Sequence, residues 1–197
     1  MSGSRYRSLP IPSFPARVRH LCVVLGDQLD RHSSIFDSFD PTRDLLFMAE
    51  VRNESLHVPS HRQRTAVFLS AMRHFAEEQW AEGRPLRYVD LEDPENTQSL
   101  QGEISRALEI HRPEAMVAVL PGDWRVQREL ESAGRVAGVP LWFLDDRHFT
   151  VTPEEYKNWL GSKKAPRMEF FYRWQRQRHG ILMDGDLPVL GRWNFDA

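Results

Sequence analysis

His20-Leu21-Cys22-Val23-Val24-Leu25-Gly26-Asp27-Gln28-Leu29 reads as a buried strand and the turn that ends it. From Leu21 to Leu25 the run is unbroken and apolar, too short for a helix, and it stops at a Gly-Asp turn signal. A strand that is apolar on both faces belongs in a parallel sheet covered on both sides. Asp44–Val51, DLLFMAEV, repeats the pattern and is followed by polar Arg52, Asn53 and Glu54. Leu86–Leu91, Ala115–Leu120 and Val139–Leu144 supply three more such runs.

Helical periodicity fills the spaces between them. In Arg64–Glu82, Phe68, Met72 and Phe75 recur at i, i+4 and i+7, and Gly83 and Pro85 end the segment. Ser99–His111 carries Leu100, Ile104, Ala107 and Leu108 on one side. After a Pro121–Trp124 turn, a third helix runs through Arg135 and stops at Gly138. Strands alternating with helices predict an α/β fold. The expectation is a Rossmann-like five-stranded parallel sheet with helices on both faces, over residues 19–146, with right-handed crossovers. Strand order is not readable from the pattern. Residues 1–18, basic and containing Pro and Ser, predict a flexible arm, and residues 30–43 a loop.

Residues 147–197 predict a helical linker. Thr152-Pro153-Glu154-Glu155 is a helix start with a capping residue, Pro at the first helical position and Glu at the third. A second helix is expected over Pro166–His179 and a tight turn at Met183–Asp186. Met168, Phe171, Tyr172 and Gln175 fall roughly on one helical face that needs something to bury it. Lys163, Lys164, Arg167, Arg173, Arg176 and Arg178 interleave with aromatic residues, a pattern that either packs against a domain or stacks on nucleic acid. Residues 156–197 hold three Trp, two Tyr and three Phe, so they are expected to lead into another domain or to dock a partner chain.

Composition narrows the function. The chain has 197 residues, 41% hydrophobic and 27% charged, the balance of a globular protein. A net charge of -2 gives no global attraction for nucleic acid. Cys22 is the single cysteine, which excludes an internal disulfide and an iron–sulfur site built from this chain alone. No apolar run nears the roughly 18 residues of a membrane span, and the basic start lacks a signal core. The expected location is the cytoplasm, with no membrane partner.

In an open parallel sheet, ligands sit beyond the carboxyl ends of the strands. Gly26-Asp27-Gln28-Leu29, Glu50 and Gly122-Asp123-Trp124-Arg125 fall there. Asp27 and Gln28 can pair with a planar heteroaromatic ring or merely cap the next segment; Trp124 can stack on a ring, and Glu50 can accept from a polyol or imide. One glycine in the first turn excludes the three-glycine dinucleotide fingerprint. His57, His61, Arg62 and Arg64 form a basic cluster, read as a solvated face or as a contact for phosphate or a second domain; the arginines disfavour a metal. Asp145-Asp146-Arg147-His148 reads as a salt-bridged loop, and no spacing suggests a nucleophile with its base.

Leu25-Gly26-Asp27-Gln28-Leu29, Glu50-Val51 and Ser70–Glu78 resemble the start of the bacterial photolyase-related proteins, the iron–sulfur cryptochromes and (6-4) photolyases. Pro121-Gly122-Asp123-Trp124-Arg125-Val126 is similar to that family's P-G-E/D-W-R-V segment. Trp159, Met168–Arg173, Leu182–Gly185 and Gly191–Asp196 resemble its linker. The resemblance implies an N-terminal antenna domain that binds 6,7-dimethyl-8-ribityllumazine. Asp27, Gln28, Leu29 and Glu50 would be its contacts, with Trp124 and Arg125 in the matching loop. It also implies that FAD, a 4Fe–4S cluster and the damaged-DNA surface belong to a C-terminal helical domain beyond Ala197. The expected chain is thus a truncated antenna module, not catalytic alone, whose full-length form repairs (6-4) photoproducts with light or senses blue light. The alternative is an interaction or structural module of the same ancestry with no chromophore. Leu120 departs from the polar residue expected before the Pro-Gly turn, and His61-Arg62-Gln63-Arg64 stands where the family often has a Lys-rich run.

Overall fold

Five parallel strands hold the first unit together. They are β1 (His20–Val23), β2 (Leu45–Ala49), β3 (Leu86–Val89), β4 (Ala115–Val119) and β5 (Leu141–Leu144), in sheet order β3-β2-β1-β4-β5. The computed structural model describes residues 13–162 and 165–195. Leu21 pairs with Leu45 on one side and with Met116 on the other, so β1 is central. This placement explains its continuous apolar run, since both faces are covered.

Two apolar layers do the covering. On one face Cys22, Leu46, Met48 and Val117 pack against α2 (Arg62–Ala81) through Met72, Phe75, Ala76 and Trp80. Ile35, from a single 3-10 turn at Ser34–Phe36, completes that layer. On the other face Leu21, Phe47, Met116 and Ala118 meet α3 (Leu100–His111) and α4 (Trp124–Ala137) through Ile104, Leu108, Leu130 and Ala133. The expected doubly covered α/β fold is what forms. Burial of Cys22 pushes its thiol well above the usual range, so it is an inert strand residue.

Local signals set the boundaries. Ser99 caps α3 through Gly102 N–H, Asp123 caps α4 through Arg125 N–H, and Gly138 ends α4 in a left-handed conformation at φ 67°. The sequence reading missed α1 (Arg52–His57), which buries none of its residues and therefore has no apolar period to read. Most of the arm expected over residues 1–18 lies outside the described residues; Val18 is buried in the core and Phe14 meets His111 edge-on. At the amino end of the sheet, Asp44 is fully buried and takes both Arg19 nitrogens at 2.8 and 2.5 Å, plus Asp40 N–H at 2.9 Å. Burial alone would raise its pKa; the Arg19 hydrogen bonds outweigh it and hold the carboxyl below the ordinary range.

The chain divides into two compact units, residues 1–150 and 151–197. The second contains α5 (Pro153–Leu160), α6 (Met168–His179) and a hairpin of β6 (Met183–Asp184) and β7 (Leu187–Pro188). Thr152 and Glu155 form the expected reciprocal capping box. Tyr156 and Trp159 of α5 meet Phe171 and Trp174 of α6, with ring centroids 5.0–6.0 Å apart. The face that carries Met168, Phe171, Tyr172 and Gln175 is thus covered only in part. Phe171 packs against α5, whereas Met168 is exposed, because the rings of α5 draw Phe171 and Trp174 together instead. Lys163, Lys164 and Asp196 lie outside the described residues.

Glu155 gives the second unit a pH signature. Its hydrogen bond from Arg178, then that from Thr152 N–H, lower its pKa from 4.5 to about 2. A lowered folded pKa gives stability that is complete above the unfolded value and lost as pH falls through the folded one. The stability difference between the wild type and Glu155→Gln, followed by circular dichroism melts, should be constant above about pH 5. It should shrink to nothing between pH 4.5 and about 2.

Candidate functional site

Strand order reverses between β1 and β4, because β1 leads to β2 and β3 on one side while β4 and β5 lie on the other. That reversal opens a crevice past the carboxyl ends of the strands. A cavity of about 260 Å³ sits there, with a floor of Val23, Leu25, Phe47 and Ala49. Gly26 and Asp27 follow β1 into it, Glu50 follows β2, and Pro121 and Asp123 follow β4. Glu54 and Ser55 of α1, with Arg64, Phe68 and Met72 of α2, complete the rim.

Gly26 is fitted to this place. A Cβ there would lie 2.6 Å from Phe68 Cε1 and 2.7 Å from Met72 Sδ. The missing side chain is what lets the Phe68 ring lie against the first turn. Phe68 stays 40% exposed at the rim rather than joining the core, whereas Met72 and Phe75 of the same stripe are buried. Its helix runs past the end of the sheet, so one turn of the apolar stripe overhangs the crevice.

Glu50 is 1% exposed, and each of its carboxylate oxygens takes two donors. Arg73 Nε at 2.5 Å and Tyr88 Oη at 2.6 Å donate to Oε1. Arg73 Nη2 at 2.7 Å and Leu91 N–H at 3.0 Å donate to Oε2. Asn96 Nδ2 adds a bond to the Glu50 carbonyl at 2.7 Å. The carboxylate thereby ties the end of β2 to α2, to β3 and to the loop after β3. Hydrogen bonding to Glu50 raises the Arg73 pKa, and burial, followed by Glu50, raises that of the Tyr88 hydroxyl. Burial, then the Glu50 charge, also raises Asp90, which lies 3.2 Å from Arg73.

The other expected contacts divide. Asp27 is exposed on the cavity lining, with no side-chain partner among the described residues. Gln28 does not line the cavity: it is 5% exposed and donates through Nε2 to Leu120 O at 3.0 Å, leaving Oε1 buried and unpaired. It braces the β1 turn to the β4 turn, so Leu120 contributes a carbonyl where a polar side chain was expected. Leu29 packs into the core layer beneath α2. Trp124 is 67% exposed outside the cavity, with the Arg128 guanidinium 5.9 Å from its ring centroid. The Asp123 cap begins the helix there and turns Trp124 outward. Arg125 is engaged by Glu54 at 2.7 and 2.8 Å and by Glu129 at 2.9 Å, latching α1 to α4.

Sequence reasoning missed Glu54, whose helix carries no period, and it placed Arg64 only in a basic cluster. His57, Arg62 and Arg64 are exposed, and His61 caps α2 by accepting from Gln63 N–H at 3.2 Å. After β5, Arg147 pairs with Asp37 and donates to His32 O at 2.7 Å, so the loop read as internally salt-bridged is also bonded to the loop after β1. Among the described residues, no group of three or more His, Cys, Asp or Glu could hold a metal ion, and no helix is long and apolar enough to cross a membrane.

The sheet order and the crevice define a doubly wound α/β domain of the sort that takes a small ligand at its switch point. The chain belongs to the deoxyribodipyrimidine photo-lyase-related protein family, whose model matches residues 22–197. It is 39% identical over 177 residues to a (6-4) photolyase of Agrobacterium fabrum, a match that covers 90% of this chain and 35% of that protein. The chain therefore spans about a third of that relative's length. A shorter similarity, 26% over 80 residues, links 39% of the chain to 41% of an uncharacterized protein of Acanthamoeba polyphaga mimivirus.

Of the lumazine contacts implied by resemblance, Asp27 lines the cavity with its carboxylate unengaged among the described residues, and the others are held by the protein or lie off the lining. Each Glu50 oxygen already takes two donors, the Gln28 Nε2 donates to Leu120, and Trp124 lies outside the lining. Replacing Glu50 by Gln removes the charge that faces the half-buried Arg73 and leaves one acceptor oxygen where Arg73, Tyr88 and Leu91 now share two. Glu50→Gln should lower unfolding free energy in urea by about 3 kcal/mol or more. A loss within about 0.5 kcal/mol would place Glu50 among ordinary surface positions.

Proposed function

We propose that this chain acts as a non-catalytic N-terminal module of a photolyase-type protein, contributing structure and interaction rather than the reaction. The observation that carries this reading is the saturated Glu50 carboxylate: the strongest polar group at the crevice holds β2, α2 and β3 together. Arg125 is likewise engaged, by Glu54 and Glu129. In the longer protein, light-driven repair of (6-4) photoproducts or blue-light sensing is the activity the module serves. FAD, a 4Fe–4S cluster and damaged DNA are assigned to a further domain, and residues 156–197 to docking that domain. Family membership and the named activity of the longer relative support this assignment.

The cavity favours a second reading, an antenna site for 6,7-dimethyl-8-ribityllumazine. An apolar floor with Asp27 and Arg64 at the rim suits a planar ring that carries a polar tail. Asp27 would accept from the ligand, Phe68 would lie against it, and Arg64 would face its polar end. The chromophore would supply light absorption; the chain's residues would bind it and exclude water.

The two readings part in a fluorescence titration of the purified chain with 6,7-dimethyl-8-ribityllumazine. The module reading predicts no saturable change up to about 1 mM, a standard free energy near -4 kcal/mol. Saturable binding in the micromolar range, weakened at least tenfold by Asp27→Ala or Phe68→Ala, would establish the antenna site instead.

A further inference from the structure

The hairpin that follows α6 holds two leucines in a conformation that suits glycine. Leu182 has φ 54° and Leu190 φ 64°, both in the left-handed region where a branched side chain is strained. Both also project into solvent, at 63% and 81% exposure, and Leu187 between them is 68% exposed. A strained backbone persists only where the surroundings fix it.

Arg176 does the fixing at the first of these positions. It is 5% exposed, although no carboxylate pairs with it among the described residues. Its guanidinium donates to Ile181 O at 3.1 Å, to Leu182 O and to Trp193 O at 3.4 Å. It also lies over the rings of Tyr172 and Trp193, with centroid distances of 5.5 and 5.3 Å. Val189 N–H closes the hairpin on Leu182 O at 2.9 Å. Leu190 lies in the short turn that follows, beside Gly191 at φ 68°. The unit thus holds in place a backbone that glycine would adopt without strain, and presents apolar side chains there that its own core does not use.

We propose that Leu182, Leu187 and Leu190 form an apolar docking knob for the larger remaining part of a photolyase-family protein. The family match includes this hairpin, and the (6-4) photolyase relative is longer than the matched region, which covers 35% of it. A family member therefore carries the hairpin together with a large additional body. The surface that receives the knob is apolar, since three leucines offer it no hydrogen bond. The inference rests on the module reading only in requiring that body; lumazine binding could succeed or fail without affecting it.

The test uses the sign of a stability change in two contexts. In the isolated chain, Leu182→Gly with Leu190→Gly relieves strain and removes only solvent-facing atoms, so Tm should hold or rise by about 2–4 °C. The same pair is then placed in a fusion in which this chain replaces the matched region of the Agrobacterium fabrum relative. There Tm should fall by about 2–4 °C or more, because the docked side chains are lost. A fall in the isolated chain means that the leucines pack within their own unit, and overturns the proposal. A rise of equal size in both contexts means that they face water in the whole protein, and also overturns it. Should no version of the fusion fold, bis-ANS emission of the isolated chain decides. A loss of half or more on making the pair supports the knob, and unchanged emission refutes it. A concentration-dependent dimer in sedimentation, abolished by the pair, would assign the face to a second copy and overturn the stated occupant.

Discussion

The Glu50 carboxylate is the constraint on which the crevice depends. It sits at the carboxyl end of β2 and is 1% exposed, where an unpaired charge is not tolerated. Arg73 from α2, Tyr88 from β3 and the amide of Leu91 occupy all four of its acceptor sites. Because Glu50 also binds Asn96 through its carbonyl, the loop after β3 is anchored to the same point. One residue therefore sets the distance from α2 to the sheet edge, and with it the position of Phe68 over Gly26. Gln28 plays the corresponding part between the β1 and β4 turns. Glu50 and Gln28 thus face their protein partners rather than the cavity, while Asp27 and Arg64 stay exposed on its lining.

The second unit is organised on a related principle with a different charge. Among the described residues no carboxylate pairs with the buried Arg176, which is engaged by carbonyls and ring faces. Such an arrangement fixes chain path more than it adds stability, since carbonyl acceptors only offset the desolvation of the guanidinium. Both units thus use a buried charged side chain as a local fastener. In the first it shapes a crevice; in the second it shapes a surface.

The fold was legible because its strands are buried on both faces. Runs such as Leu21–Leu25 and Leu45–Ala49 carry no alternation, and Ser99, Asp123, Gly138 and Thr152 stand where caps belong. Strand order was not legible, since nothing local says on which side of β1 a later strand will lie. The α1 helix was invisible because it buries nothing. At the site, position at a strand end correctly singled out Asp27 and Glu50 as lining the crevice. The engagement of Glu50 depends on Arg73 and Tyr88, 23 and 38 residues away, and no spacing rule connects them. Trp124 and Arg125 sit beside the crevice in sequence, but the Asp123 cap and the Glu54 ion pair direct both elsewhere.

Glu50 and Arg73 act as one fastener within the fold. A double-mutant cycle of Glu50→Gln and Arg73→Met, read by urea unfolding, measures that coupling directly. The expected coupling energy is about 1–3 kcal/mol, with the double variant less destabilised than the sum of the single ones. Additivity within about 0.3–0.5 kcal/mol would contradict it and return Glu50 to the cavity as a free group.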